Sequence, residues 1–334
     1  MDIYLKQAIL HLLDRESGAP VFSQVPLDLT TAYIREYLTK KIQKLSTPQT
    51  KTGILAEAAP FTEMIKRLPQ DFVTASADLT QLWYENYNQS EDAPGCDVFV
   101  VLYELDTALH VAFLKVNYNE GYTHYVDSED AGLKNQLIIN RAILANKTQK
   151  ADEGLTVDLT TMAYELVEKK YTFSGEKRLY FSTEVIESQP QLSLEDNVKV
   201  IKRVAEKIGK KFDAPKHDLI ADVKEAVYDS IEENGELADE EVAEKVFKDN
   251  ITAKLAFKEE VAEKGFVDRA PLLREVKELT EKKYGKQKLK LSNGIELIVP
   301  LDVYRDPNLI EFVNNPDGTI SVTIKNVEDV VNRL

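Results

Sequence analysis

The chain has 334 residues, 43% hydrophobic and 30% charged, with one cysteine and a formal net charge of −15. That much apolar material supplies the cores of one large or two ordinary domains and excludes a mainly disordered chain. The acidic balance argues against nucleic acid or anionic membrane as a partner of the whole surface. A lone Cys96 excludes an internal disulfide and a multi-cysteine metal site, and it fits a reducing cytosol. The opening MDIYLKQAILHLLD lacks the basic and continuous apolar regions of a secretion signal. No apolar run reaches the ~20 residues of a membrane span. The expectation is a soluble cytoplasmic protein without membrane contact.

In chain order, two apolar runs flank DRESGAP near the start, where Gly18 and Pro20 predict a hairpin. Ile9, Leu12 and Leu13 also suit a helix face. Tyr33, Ile34, Tyr37, Leu38 and Ile42 then recur at helical spacing behind a capping Thr30 or Thr31. PFTEMIKRLPQDFVTASADLTQLWYENYNQ predicts one or two amphipathic helices. DVFVVLYEL and LHVAFLKVNY, on either side of DTA, read as a pair of central strands. GLKNQLIINRAIL predicts another strand or two, and KRLYFS a further one. These elements predict an α+β domain over 1–188, with a mainly antiparallel sheet and helices.

Pro190 and a capping Ser193 in ESQPQLSLED place the boundary. Residues 189–334 are expected as a helical region closed by a small β unit. Its helices are LEDNVKVIKRVAEKIGKKF, HDLIADVKEAVYDSIEEN, ADEEVAEKVF and ITAKLAFKEEVAEKG, the last ended by Gly265. Asn-Gly in LKLSNGIELIV predicts one hairpin. Pro316, Asp317 and Gly318 in FVNNPDGTISVTIK predict a second, in which Ile320, Val322 and Ile324 alternate with polar residues so that one face is buried.

Chemistry-bearing patterns are sparse. The four histidines, His11, His110, His124 and His217, form no i, i+4 pair. His124 and Asp127 in THYVDSED could ligate a metal or exchange protons, but they also read as an ordinary surface loop. His110 lies in a central strand and suits a core. Cys96 has no base beside it in sequence. FSGEK lacks the spacing of a phosphate loop, and no GxGxxG occurs. No catalysis and no cofactor are expected.

LSNGIELIVPLDVYRD and IEFVNNPDGTISVTIKNV resemble the C-terminus of the bacterial 37-kDa nucleoid-associated protein family, in its Gram-positive branch. AILHLLDRESGAPVFS is similar to that family's opening, and FKEEVAEKGFVDR to its mid-C-terminal helix. The resemblance implies a cytoplasmic protein of the bacterial nucleoid that associates with DNA. It supplies no catalytic or DNA-contacting residue.

Candidate phosphate contacts therefore come from the residues alone. In VKVIKRVAEKIGKKF, residues 198–212, Val198, Ile201, Val204, Ala205, Ile208 and Phe212 share one helical face. Lys199, Arg203 and Lys210 fall nearly opposite, flanked by Lys202, Lys207 and Lys211, and only Glu206 interrupts. A second run brings Lys282, Lys283, Lys286, Lys288 and Lys290 around Tyr284. A third and weaker one holds Arg35, Lys40, Lys41, Lys44 and Lys51. Each also reads as an ordinary solvated surface. Without a helix-turn-helix or zinc finger, backbone contact with double-stranded DNA is the expected mode. The alternative is an acidic protein–protein adaptor that reaches the nucleoid through a DNA-bound partner. The acidic DSIEENGELADEEVAEKVFKDN would repel DNA, face a basic partner or simply solvate its helices. A homodimer would reconcile net acidity with a basic groove.

Overall fold

A computed structural model describes residues 2–15, 18–129, 132–212, 216–266 and 283–331. The chain separates into two compact units, Met1–Ser193 and Leu194–Leu334.

The first unit runs β1 (Ile3–Leu13), α1 (Ala32–Gln43), β2 (Lys51–Ile54), α2 (Pro60–Arg67), α3 (Phe72–Tyr87), β3 (Cys96–Leu105), β4 (Ala108–Glu129), β5 (Gly132–Leu144), β6 (Glu153–Asp158), β7 (Ala163–Val167), β8 (Tyr171–Phe173) and β9 (Glu176–Arg178), with a π-helical turn at Phe181–Val185. The main sheet is antiparallel, in the order β1-β3-β4-β6-β7-β2, and β5 pairs only with the far half of β4. β1 is a strand, which settles the ambiguity of its apolar spacing. Paired backbone bonds between Leu12 and Val21 close the loop around Gly18.

β3 shows why this sheet is central. Val98, Val100 and Leu102 enter one core with Phe61, Trp83 and Phe113, under α2, α3 and the π turn. Phe99, Val101 and Tyr103 enter the other with Leu38 and Ile42 of α1. Period-two alternation of two apolar sets gives a strand buried on both faces. Asp106 and Thr107, both at positive φ, make the tight β3–β4 turn predicted at DTA.

One strand prediction is corrected. KRLYFS is extended only to Arg178, after which Tyr180 and Phe181 wind into the π turn and are fully buried. Consecutive aromatics on a strand would face opposite sides. The turn instead aims both into one core, where their rings lie 6.0 Å apart.

In the second unit α4 (Leu194–Lys211), α5 (Lys216–Asn234), α6 (Asp239–Phe247) and α7 (Ile251–Glu263) surround a core that includes Ile201, Ile208, Val227, Ile231, Val242 and Phe257. Gly265, at φ +79, ends α7 in a Schellman motif. The Phe266 N–H donates to Val261 O and the Gly265 N–H to Ala262 O, while Phe266 buries beside Val261. β10 (Lys286–Lys290) and β11 (Glu296–Pro300) form one hairpin, α8 (Leu301–Arg305) follows, and β12 (Ile310–Asn314) with β13 (Ile320–Ile324) form a second. Gly318, at φ +82, sits where the turn needs a left-handed residue, and Asp317 accepts from the Thr319 N–H. The predicted burial of this hairpin's face is corrected. Ile310 is buried and Val322 half-buried, but Ile320 and Ile324 are 51% and 57% exposed.

Candidate nucleic-acid interface

α4 is built to present cations. Ile201, Val204, Ala205 and Ile208 are buried, which turns the intervening basic residues outward. Glu195 and Asp196 lie in its first turn and Lys210 and Lys211 in its last, so the charges complement the helix dipole. Lys199, Lys202, Arg203, Lys207, Lys210 and Lys211 are all exposed.

Their partners divide them. Lys199 bonds Asp196 at 3.0 Å and approaches Glu195 at 3.4 Å, and these carboxylates hold its ammonium above the usual lysine range. Lys207 pairs with Glu260 of α7 at 2.5 Å. Lys202, Arg203 and Lys210 have no ion pair or hydrogen bond among the described residues, and Lys211 lies only over the Phe212 ring.

Lys286, Lys288 and Lys290 of the second run lie on β10. Strand alternation buries Gln287, half-buries Leu289 and turns Lys286, Lys288 and Lys290 to the outer face. Lys290 pairs across the hairpin with Glu296 at 3.5 Å, while Lys286 and Lys288 have no side-chain carboxylate partner among the described residues. Lys283 pairs with Glu195 at 2.9 Å, so the structure brings Lys199 and Lys283 together on one carboxylate. Lys282 lies outside the described residues. α5 adds a cation that the sequence pattern did not single out. Lys224 donates to the Lys286 carbonyl, and burial, then the nearby Lys288, lower its pKa. Its lysine stands alone between apolar and acidic neighbours in sequence, so only the packing of β10 on α5 reveals it.

The third run serves the fold. Lys41 is fully buried and donates to the Asn146 and Gln149 carbonyls, Arg35 donates to those of Leu29 and Thr30, and Lys51 pairs with Glu168. The acidic stretch is partly neutralised within its own unit. Asp229 is held by Lys245 and Arg305, Glu240 by Lys258 and Glu244 by Lys254.

The other candidate groups are placed as follows. Cys96 is buried, and burial pushes its thiol up to about 12, so it is not a thiolate at neutral pH. His110 is only half-buried, stacked on Tyr103. His124 and Asp127 lie on β4 rather than in a loop, and a three-residue separation on a strand sends them to opposite faces. The His217 side chain lies outside the described residues. Among the described residues, no group of three or more His, Cys, Asp or Glu side chains is arranged to hold a metal. Among the same residues, no helix is long and apolar enough to cross a membrane.

The family model described as nucleoid-associated protein YejK (NA37) matches residues 9–332. The chain belongs to that family. Its family description attaches it to the nucleoid, and the match spans both the sheet unit and the unit that carries α4 and β10. No curated protein matches the sequence.

Proposed function

We propose that this protein binds double-stranded DNA at the nucleoid through backbone electrostatics, without catalysis, and that its contacts lie on α4 and β10. One observation carries the reading. In a chain of net charge −15, Lys202, Arg203, Lys210, Lys211, Lys286 and Lys288 stand exposed with no carboxylate partner among the described residues, while Lys199, Lys207, Lys283 and Lys290 are paired. Cations without a bound carboxylate reach phosphate without first losing one, and each contact releases counterions. Such contacts position a duplex without reading its bases. Lys199 and Lys283 serve this surface as its fixed border. The family's description agrees with a nucleoid location in the cytoplasm. The test is a duplex shift assay against salt, with Arg203→Glu/Lys210→Glu expected to remove the shift.

The acidic balance favours a second reading, an adaptor held at the nucleoid by a DNA-bound protein. Residues 1–193 carry 27 acidic against 18 basic side chains and residues 194–334 carry 30 against 24, so both units are net negative, −9 and −6. Co-purification with a partner that survives nuclease treatment, without a duplex shift at low salt, selects this reading.

A further inference from the structure

β1 closes one end of the main sheet, and its outer edge is only half covered. Val21 exchanges both backbone bonds with Leu12, and the Leu27 N–H donates to the Ala8 carbonyl at 2.7 Å. The chain then leaves the edge and enters α1. Among the described residues, no strand or loop continues this track along residues 3–7. A bulge between Leu5 and Gln7 adds one residue, so Ile3 and Leu5 join Ala8 and Leu10 on the core under α1. Alternate residues of a strand share a side-chain face and a hydrogen-bonding direction. Ile3 and Leu5 therefore aim their backbone groups outward, as Ala8 and Leu12 do, but with no backbone partner there among the described residues. This open edge is one wall of a cleft of about 1010 Å³. Ile3, Leu5, Leu27 and Leu29 are half-buried on its floor. Its rim holds Lys6, Arg35 and Lys40 against Asp28 and Glu36, a net positive site in an acidic unit. Glu36 pairs with Lys147 and Lys6 with Glu104, and Asp28 accepts from Thr30. Arg35 uses Nη1 on the Leu29 and Thr30 carbonyls, and Lys40 reaches only the Gln43 amide oxygen at 3.3 Å. Neither cation has an ion pair among the described residues.

We propose that this cleft takes an extended, acidic segment of another protein, added to the sheet as a strand beside residues 3–7. The free backbone groups of Ile3 and Leu5 set its register, and its alternate apolar side chains lie on the floor of the cleft. Its carboxylates meet Arg35 and Lys40. At ~3.3 Å per residue the open edge engages about five residues of the partner. The bulge and the exposed Lys6 are devices that blunt an edge strand against indiscriminate pairing. Main-chain bonds alone therefore do not hold a partner, and the apolar floor and the two cations select one. A DNA duplex offers no amide ladder to this edge, so the inference stands independently of DNA binding by α4 and β10.

The test is fluorescence anisotropy of the full chain with a labelled peptide that alternates valine with glutamate. This peptide should bind at concentrations up to about 1 mM, and the same peptide with lysine for glutamate should not. Methylating one alternate set of peptide amides should abolish binding, and methylating the other set should leave it, because an added strand offers only every second N–H to the edge. Arg35→Glu/Lys40→Glu should weaken the acidic peptide about tenfold. Lys40→Glu alone, which gives up only a bond within α1, should weaken it about threefold. Arg203→Glu/Lys210→Glu, on α4, should leave peptide binding unchanged. All four substituted positions are exposed, and unchanged Trp83 fluorescence verifies folding of each variant. No binding of the acidic peptide, equal effects from the two methylated sets, or indifference to Arg35→Glu/Lys40→Glu overturns the proposal.

Discussion

Replacing Lys115 by methionine should unfold the sheet unit far more easily than the loss of one hydrogen bond would suggest. Lys115 and Glu153 are both fully buried and lie 2.8 Å apart. The ammonium also donates to the Tyr171 hydroxyl at 2.6 Å and lies 4.4 Å from the Tyr87 ring centroid. Glu153 further accepts from the Tyr180 hydroxyl at 3.1 Å and from the Lys169 N–H at 3.0 Å. With Lys115 gone, those two bonds remain, but a carboxylate stays buried without its counter-charge. Breaking one half of a buried pair costs about 3–5 kcal/mol, against a total stability of about 5–15 kcal/mol for an ordinary domain. With a urea slope near 2 kcal/mol per molar, the midpoint should fall by about 2 M. Trp83 is the only tryptophan and packs 4.5 Å from Tyr87 and 6.3 Å from Tyr180, so its fluorescence reports this unit alone. Lys115→Met/Glu153→Gln removes the orphan charge, with the amide oxygen placed to accept from the Lys169 N–H and the amide NH2 to donate to the Tyr180 hydroxyl, and it should recover about 2 kcal/mol. A single variant within about 1 kcal/mol of the parent, or a double variant no better than the single, refutes the reasoning.

Three further outcomes follow. His11 is buried, accepts the Ser23 N–H on Nδ1 and donates from Nε2 to Ser76 Oγ, and burial lowers its pKa to about 4. The unfolded chain takes the proton first, so this residue's contribution to stability falls as pH drops below 6.5 and stops changing below about 4. Between pH 7.5 and 5 the parent should lose about 2 kcal/mol relative to His11→Gln in Trp83-monitored urea melts, and parallel curves would exclude this. Gly265→Ala meets no neighbouring atom but places a Cβ at φ +79, so the helical unit should lose about 1–2 kcal/mol in far-ultraviolet melts, and no loss would remove the Schellman account. We propose that the two compact units are independent domains, so a fragment of residues 1–193 should melt cooperatively with native Trp83 emission, whereas a non-cooperative melt would make the chain one domain.

The parts of this molecule that can be read in sequence are those set by local periodicity. α4 shows its buried and basic faces by 3.6-residue spacing, the β3–β4 pair by two β-rich runs, and the terminal hairpins by Asn293-Gly294 and Pro316-Asp317-Gly318. β6 and β7 are hard to see because they are short and β6 begins with Glu153, a charged residue that only the distant Lys115 makes tolerable in a core. β5 reads as a strand, but nothing local says that Leu133, Leu137 and Ile139 stay uncovered. The basic surface was legible as residue types and not as available charge. Lys207 is neutralised by Glu260, which lies 53 residues away in sequence, and Lys41 is drawn into the core by carbonyls more than a hundred residues on.

The central claim rests on six cations without carboxylate partners among the described residues, and the salt dependence of duplex binding by the full chain tests it most directly. If Lys202, Arg203, Lys210, Lys211, Lys286 and Lys288 all meet phosphate, log K should fall against log salt with a slope of about −5, and Arg203→Glu/Lys210→Glu/Lys288→Glu should abolish binding. No shift of duplex DNA at low salt, or the same slope and affinity in the triple variant, contradicts it.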